Sequence, residues 1–499
     1  QATNNAESSG SITYLSIRHG GFALSDGNEI NGMTLGGVGS GTTINHVEVV
    51  ANADDGVEFF GGTVNTTNLV VTFTEDDSFD IDQGHSGTHQ YWFTVTNSTA
   101  GDHGGEWDGV DGYKDDGLGN SNPVILNATF LDAGASGSTE ALKFDDYFDG
   151  FIANCAFGDY GTQFDNAGDG IGALLDLQGN VFAGSNDGGA ATAGFGTNNT
   201  FSQALGLASV SVVPNGGMDP RPTGSSFLLD ANNTKDFDES VISGVDVVSY
   251  SGAFSTTDLW IEGWTFLSEE GFLPSSSPLV NLGANDVDVV ADIAAPFQVG
   301  TTVGAEAFVS AITWDTTFTA DKTYILTDAV FVTNGAKLTI EAGTKIYGAS
   351  YENGAGTADN VLGSIVVTRG AQICVNGTAS QPVLMTTIDA LEAERGEDID
   401  GDTLTASAPT ADTAGRWGGL VVLGNAFVAN WDDPDSTPDN GDEVNLFEKS
   451  IEGFAAANFD DLDADGFSDI IEYGNDANSN GATLATNNAE SSGSITYLS

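Results

Sequence analysis

Residues 41–62, GTTINHVEVVANADDGVEFFGG, and residues 63–84, TVNTTNLVVTFTEDDSFDIDQG, align at an offset of 22 residues. Val47 meets Leu69, Val49 meets Val71, the pair Asp54 and Asp55 meets Asp76 and Asp77, Val57 meets Phe79 and Phe59 meets Ile81. Apolar and polar residues alternate in short runs, the period of a β-strand. Gly, Asn and Asp separate the runs and supply turns and positive φ. A unit this short cannot bury an apolar face alone, so successive units must stack as the coils of a β-solenoid.

The period lengthens along the chain. At an offset of 27, Asn127 falls on Asn154 and Phe130 on Phe157, and Asn180 and Phe182 continue the series. Near the far end, LTIEAGTKI at 338–346 aligns with IVVTRGAQI at 365–373, placing Ile340 on Val367, Gly343 on Gly370 and Ile346 on Ile373. Long 3.6-residue periodicity is scarce. The fold class is all-β, a parallel β-helix, with about fifteen to twenty coils per unit and a rod of roughly 70–95 Å at ~4.8 Å per coil.

A longer repeat encloses these. Residues 2–16, ATNNAESSGSITYLS, return unchanged as residues 485–499. The simplest account is a window on a tandem array whose unit is the 483-residue offset between them. The chain reads as a mature product or an internal fragment. Residues 273–305 open with a Pro/Ser cluster, lack the coil pattern and read as a linker.

The chain carries 72 acidic and 12 basic residues, a formal charge of −60. That excess argues against nucleic acid and anionic membrane surfaces as partners. It suits a saline or calcium-rich exterior. No apolar run is long enough for a membrane-spanning helix. Cys155 and Cys374 read as small buried hydrophobes, not a disulfide framework.

Several motifs in combination carry a resemblance. They are FTADKTY with VFVTNGAKLTIEAGTKI, GSIVVTRGAQICVNGTASQPVLMTT, RWGGLVVLGNA, SITYLSIRHGG, NEINGMTLGGVGSGTTINHVEV, DDGVEFFGGTVN, and a closing YSGAF followed by WIEGWT. Over most of its length the chain resembles the secreted β-helix repeat proteins of Bacteroidota, many of them exported by type IX secretion. The resemblance implies a right-handed parallel β-helix, an extracellular or cell-surface location and a structural role. It hands over no catalytic site. In that family the order begins with the segment here near 311 and ends with the one near 265. Residues 1–272 are thus the back part of one unit, 273–305 the linker and 306–499 the front part of the next.

The sharpest local motif is DLDADGFSDIIE at 461–472, which matches a calcium loop. Asp461, Asp463, Asp465, Asp469 and the closing Glu472 offer carboxylates, Phe467 stands where such loops give a backbone carbonyl, and Gly466 makes the sharp turn. Calcium is therefore the expected cofactor, in a loop inserted into the β-helix. Weaker candidates are Asp476, Asn478 and Asn480, the DIDGD run at 398–402 and the acidic stretch 431–443. Stacked Asp pairs one coil apart would repel by about 1 kcal/mol per pair in water. Backbone hydrogen bonds at the turns are the favoured compensation, ahead of a metal ladder.

His85, His89 and His103 gather with Asp102, Glu106 and Asp108 in a spacing that matches no metal or catalytic motif, so a surface insertion is the simpler reading. A polysaccharide lyase would need a basic residue beside its carboxylates, and Lys114, Lys143, Arg18 and Arg221 are the choices. Lys143, near Asp145 and Asp146, reads more easily as an ion-paired lysine. A carbohydrate-binding adhesin would need exposed aromatic platforms, with Trp92, Trp107, Trp260 and Trp264 as candidates. The expectation is a non-enzymatic shaft module, with neighbouring units of the same polypeptide as partners, self-assembly into an oligomer or filament, and surface glycans as ligands of the adhesin alternative.

Overall fold

The computed structural model describes residues 4–275 and 310–428 except 23–29, 97–100, 110–119, 133–139, 159, 167–170, 173, 185–198, 236–241, 243, 327–328, 352–360 and 400–406, together with short strands between 290 and 308 and between 430 and 474. The coils form two parallel sheets. The smaller has ten strands, in the spatial order Thr162–Asn166, Glu140–Asp145, His103–Asp108, Phe79–Asp82, Val57–Phe60, Met33–Gly36, Leu420–Leu423, Ser364–Val367, Ala329–Val332 and Ser310–Ile312. The larger has 17 strands and wraps the other two sides of each coil.

The 22-residue register holds residue for residue. Val47 pairs with Leu69 and Val49 with Val71. Val57 pairs with Phe79 and Phe59 with Ile81. The 27-residue register holds for Phe130 on Phe157, and Phe157 then pairs with Phe182. At the far end the 27-residue register is replaced by one of 35: Leu338 pairs with Ile373 and Ile340 with Val375. The strand Lys337–Glu341 lies in the larger sheet and Ser364–Val367 in the smaller, so these segments occupy different sides of the coil. The segment that stacks on IVVTRGAQI is VFVTNGAKL, and the residues inserted after Gly348 lengthen that coil.

A left-handed residue turns the corner inside the larger sheet at equivalent places in successive coils. Tyr14, His46, Asn68 and Tyr91 sit there with φ of 48°, 55°, 57° and 62°, followed by Asn127 and Asn154 at 51° and 55°. Asn tolerates this region because its short polar side chain finds local partners. Tyr14 and His46 are held there by stacking, their rings 4.3 Å apart, and the Tyr91 hydroxyl donates to Asp246.

Inward side chains fill the interior with ladders. Phe130, Phe157, Phe182 and Phe201 form one aromatic file, with centroids 5.2, 4.6 and 4.7 Å apart. The outer face of one arm is apolar as well, through Val50, Val70, Phe73, Phe93 and Val95. A strap over residues 205–273 covers it with Met218, Leu228, Phe254, Ile261, Trp264, Phe266, Leu267 and Phe272. The strap doubles back: Ala253 N donates to Thr129 and Phe266 N donates to Glu48, so its end reaches the earliest coils of the back part.

The two parts of the chain form one stack. Met33–Gly36 pairs in parallel with Leu420–Leu423. Gly10–Arg18 pairs with Gln372–Asn376 and Val383–Thr387 on one side and Thr43–Val50 on the other. Part of the expected linker belongs to this stack, since Val290–Asp292 pairs with Thr323–Leu326 and Leu273 is buried in the strap. Among the described residues, ten strands at ~4.8 Å span roughly 43 Å. The strap and the loop insertions take up residues that an uninterrupted solenoid would spend on coils.

Candidate metal centre

The turns entering the ten-stranded sheet carry the stacked acids. Asp55 Oδ1 accepts from Asp77 N at 3.0 Å, and Asp77 Oδ1 accepts from His103 N at 2.7 Å. Each carboxylate thus caps the backbone of the next coil, the compensation that the stacked pairs require. His103 Nδ1 also lies 2.8 Å from Asp77 Oδ1. Burial opposes charge on His103, yet Asp77, Asp102 and Glu106 pull its pKa up to about 9.

Immediately beyond these turns a second ladder points outward. Thr34 pairs with Glu58, Glu58 with Asp80, Asp80 with Glu106 and Glu106 with Lys143. At its upper end Lys143 Nζ ion-pairs with Glu106. At its lower end carboxylates meet carboxylates: oxygens of Asp55, Glu58 and Asp80 all lie within 4.8 Å of one another. Burial, then the neighbouring acids, pushes the Asp55 and Asp80 carboxyls well above the usual range.

Asn31 completes this cluster. It is 2% exposed, its Nδ2 donates to Glu58 Oε2, and its Oδ1 has no hydrogen-bond partner among the described residues. Asp80 Oδ1 is likewise buried without a partner. Three clustered carboxylates are an all-oxygen donor set, which fits a hard divalent cation such as calcium, and the Asn31 amide, which presents Nδ2 to Glu58, would add a fourth oxygen on turning Oδ1 inward. No sequence motif flagged it, since the donors come from three coils: Asn31 before Met33–Gly36, Asp55 and Glu58 around Val57–Phe60, and Asp80 on Phe79–Asp82.

The other candidates separate. Asp461, Asp463, Asp465, Phe467 and Asp469 lie outside the described residues, as do Asp476, Asn478, Asn480 and Lys114. Glu472 begins a short strand, Glu472–Gly474, paired antiparallel with Glu448–Ser450. The histidines do not converge. His85 and His89 lie inside the solenoid, both fully buried, with their Nε2 atoms 2.9 Å apart. Their proton order follows from the partners: Trp92 Nε1 donates to Thr66 Oγ1, and His85 Nδ1 faces Gly61 O at 2.7 Å. His85 therefore donates through Nδ1 and accepts through Nε2 from His89, whose Nδ1 accepts from Thr66. Both rings stay neutral, and burial pushes the His85 pKa down to about 4.

The aromatic platforms are withdrawn into the structure. Trp92 and Trp107 are fully buried and Trp264 nearly so, while Trp260, half-buried within the strap, packs against its apolar cluster with Nε1 donating to Ala253 O. The candidate bases are engaged. Arg18 Nη1 meets Glu269 Oε2 at 2.6 Å, and Arg221 Nη2 meets Asp219 Oδ2 at 2.7 Å. Cys155 is buried and Cys374 half-buried, and both are free thiols.

Stacked parallel strands around an apolar interior define an all-β parallel β-helix repeat protein. More specifically, a family model described as a pectate-lyase-like β-helix domain matches residues 2–180 and 310–444, more than half of the chain, and the chain belongs to that family. The two matched blocks are the segments that the sheets bring together into one stack. No curated protein and no solved structure matches the chain.

Proposed function

We propose that this chain is a shaft module: a calcium-stabilised repeat of a long extracellular polypeptide on a bacterial surface, exported in the manner of the secreted Bacteroidota proteins it resembles. The observation that carries this reading is the single uninterrupted strand stack built from both parts of the chain. Parallel ladders with an apolar interior resist bending and stretching, and their strength adds coil by coil. The ion pairs of Arg18, Lys143 and Arg221 support the same reading, because the three described basic groups nominated as a lyase base are each held by a carboxylate. The burial of Trp92, Trp107 and Trp264 weighs against the adhesin alternative.

Calcium has two places in this proposal. One is the loop Asp461–Glu472, with Asp461, Asp463, Asp465, Phe467, Asp469 and Glu472 as ligands. The other is the Asp55, Glu58, Asp80 and Asn31 cluster, where the ion would relieve carboxylate repulsion and lock three adjacent coils together. The test joins a calcium titration of the thermal midpoint to turnover assays on acidic and neutral polysaccharides. A shaft module gains stability with calcium and releases no new sugar ends. Release of unsaturated uronates or reducing ends would replace the shaft with a lyase or hydrolase.

A further inference from the structure

One coil beyond the Asp55, Glu58 and Asp80 cluster, an imidazole enters among the carboxylates. His103 opens the strand His103–Asp108 and is 6% exposed. Its Nδ1 stands 2.8 Å from Asp77 Oδ1, 3.7 Å from Asp102 Oδ2 and 3.7 Å from Glu106 Oε2. Donor atoms of Asp77, His103 and Glu106 all lie within 4.8 Å of one another, and so do those of Asp76, Asp77 and Asp102. Four ligands bound to zinc at ~2.0–2.1 Å stand about 3.3 Å apart, the edge of a tetrahedron. The distances around Nδ1 bracket that edge, so small side-chain rotations bring one nitrogen and three oxygens onto a single ion.

The donor set discriminates. Calcium takes oxygen ligands in larger number, whereas an imidazole with few carboxylates suits a borderline first-row ion. The ligands are also held from behind, as zinc ligands are. Asp77 Oδ1 accepts from His103 N at 2.7 Å, which fixes the turn. Lys143 Nζ takes Glu106 Oε1 and leaves Oε2 facing the imidazole. On the other edge of the ring, His103 Nε2 lies 3.7 Å from Glu140 Oε2, an outer carboxylate for the second nitrogen. The side chain of Asp102 is 55% exposed and gives an ion its way in.

We propose that Asp77, Asp102, His103 and Glu106 form a zinc site, separate from the calcium cluster and different in chemistry. The ion takes the place of the proton that lies between His103 Nδ1 and Asp77. Its ligands come from two successive coils at the point where the coil lengthens: Phe79 pairs with Gly105, 26 residues on, whereas Val57 pairs with Phe79, 22 residues on. A clip at that point holds the longer coil in register.

The inference goes beyond the shaft reading and does not rest on it, so the test is run on the full 499-residue chain in saturating calcium, with zinc alone as the titrant. Competition with a chromophoric chelator should show one site with a Kd of ~10 µM or tighter. X-ray absorption at the zinc edge, on the native chain carrying one equivalent, should show a single imidazole and otherwise oxygen donors. His103→Gln should weaken the site by about 10–100-fold or more, whereas His46→Gln, on the larger sheet, should leave it within about twofold. Binding to the native chain weaker than ~10 µM would overturn the proposal and leave His103 as an ion-paired histidine alone. So would a spectrum with sulfur or with two or more imidazoles, or an affinity unchanged in His103→Gln. The spectrum is recorded on the native chain and decides the question where His103→Gln fails to fold. Failure leaves the shaft reading standing, because that reading is tested by calcium and polysaccharide assays without zinc.

Discussion

At the residue scale the informative groups are those whose partners come from neighbouring coils. Asn31 and Asp80 each bury an oxygen that no described protein group satisfies, beside Asp55 and Glu58. Replacing Asp80 by Asn removes one like charge from the cluster. In chelator this variant is expected to melt higher than the native chain, by roughly 2–4 °C for ~1 kcal/mol of relieved repulsion. With calcium it should lose the part of the calcium-induced rise that the cluster contributes, which differential scanning calorimetry with and without calcium reads directly. The stacked Asp pairs were legible in the sequence because they recur at the coil offset. Asn31 was not, because its coil has no close sequence match and its role depends on a side chain two strands away. The left-handed Asn127 and Asn154 were equally legible, whereas Tyr14 and Tyr91 share their corner against intrinsic preference, Tyr14 stacked on His46 and Tyr91 hydrogen-bonded to Asp246.

At the element scale the coils stand on their aromatic files and on the strap. Phe157 lies between Phe130 and Phe182, so Phe157→Ala should cost about 3–5 kcal/mol and lower the urea midpoint without changing the secondary structure of the folded state. The strap is fixed at its far end by Arg18, Glu48 and Glu269. Glu48 is fully buried, accepts from Ser16 Oγ at 2.5 Å and from Phe266 N at 2.7 Å, and lies 4.0 Å from Arg18. Arg18→Ala would leave Glu48 without its cation and should cost about 3–5 kcal/mol. Limited proteolysis within residues 255–275 is the readout, with faster cleavage expected in the variant. The strap was the least legible element. Its clue lay in the strands it covers, where VEVV and LVVTF break strict alternation because both faces are buried. The 35-residue coil escaped for a related reason, since an insertion after Gly348 obscured the better match between VFVTNGAKL and IVVTRGAQI.

At the scale of the whole molecule, charge sets the pH dependence. Burial, partly offset by Arg18, pushes the Glu48 carboxyl up to about 7, and burial with neighbouring acids pushes Asp108 up to about 8. His103 stands at about 9 despite burial, because Asp77 faces it. All three bind protons more tightly folded than unfolded, so their stabilisation is present at low pH and lost as pH rises through these values. His85, pushed down by burial to about 4, acts oppositely, and its contribution is lost only as pH falls below about 6.5. In chelator, stability should therefore decline steadily from pH 6.5 to 9, as thermal melts across that range would record. Calcium should flatten the decline, since it binds the ionised carboxylates.

The union of the two parts in one stack was not legible in the sequence, because contacts between residues 10–18 and 372–387 leave no local trace. The central claim is that these stacks form a shaft. Negative-stain electron microscopy of the native polypeptide carrying this sequence, with calcium and after chelation, tests it most directly. Long uniform rods built from repeating segments, loosening on chelation, are the predicted result. Compact single particles of about 50 kDa that are indifferent to chelation would contradict it.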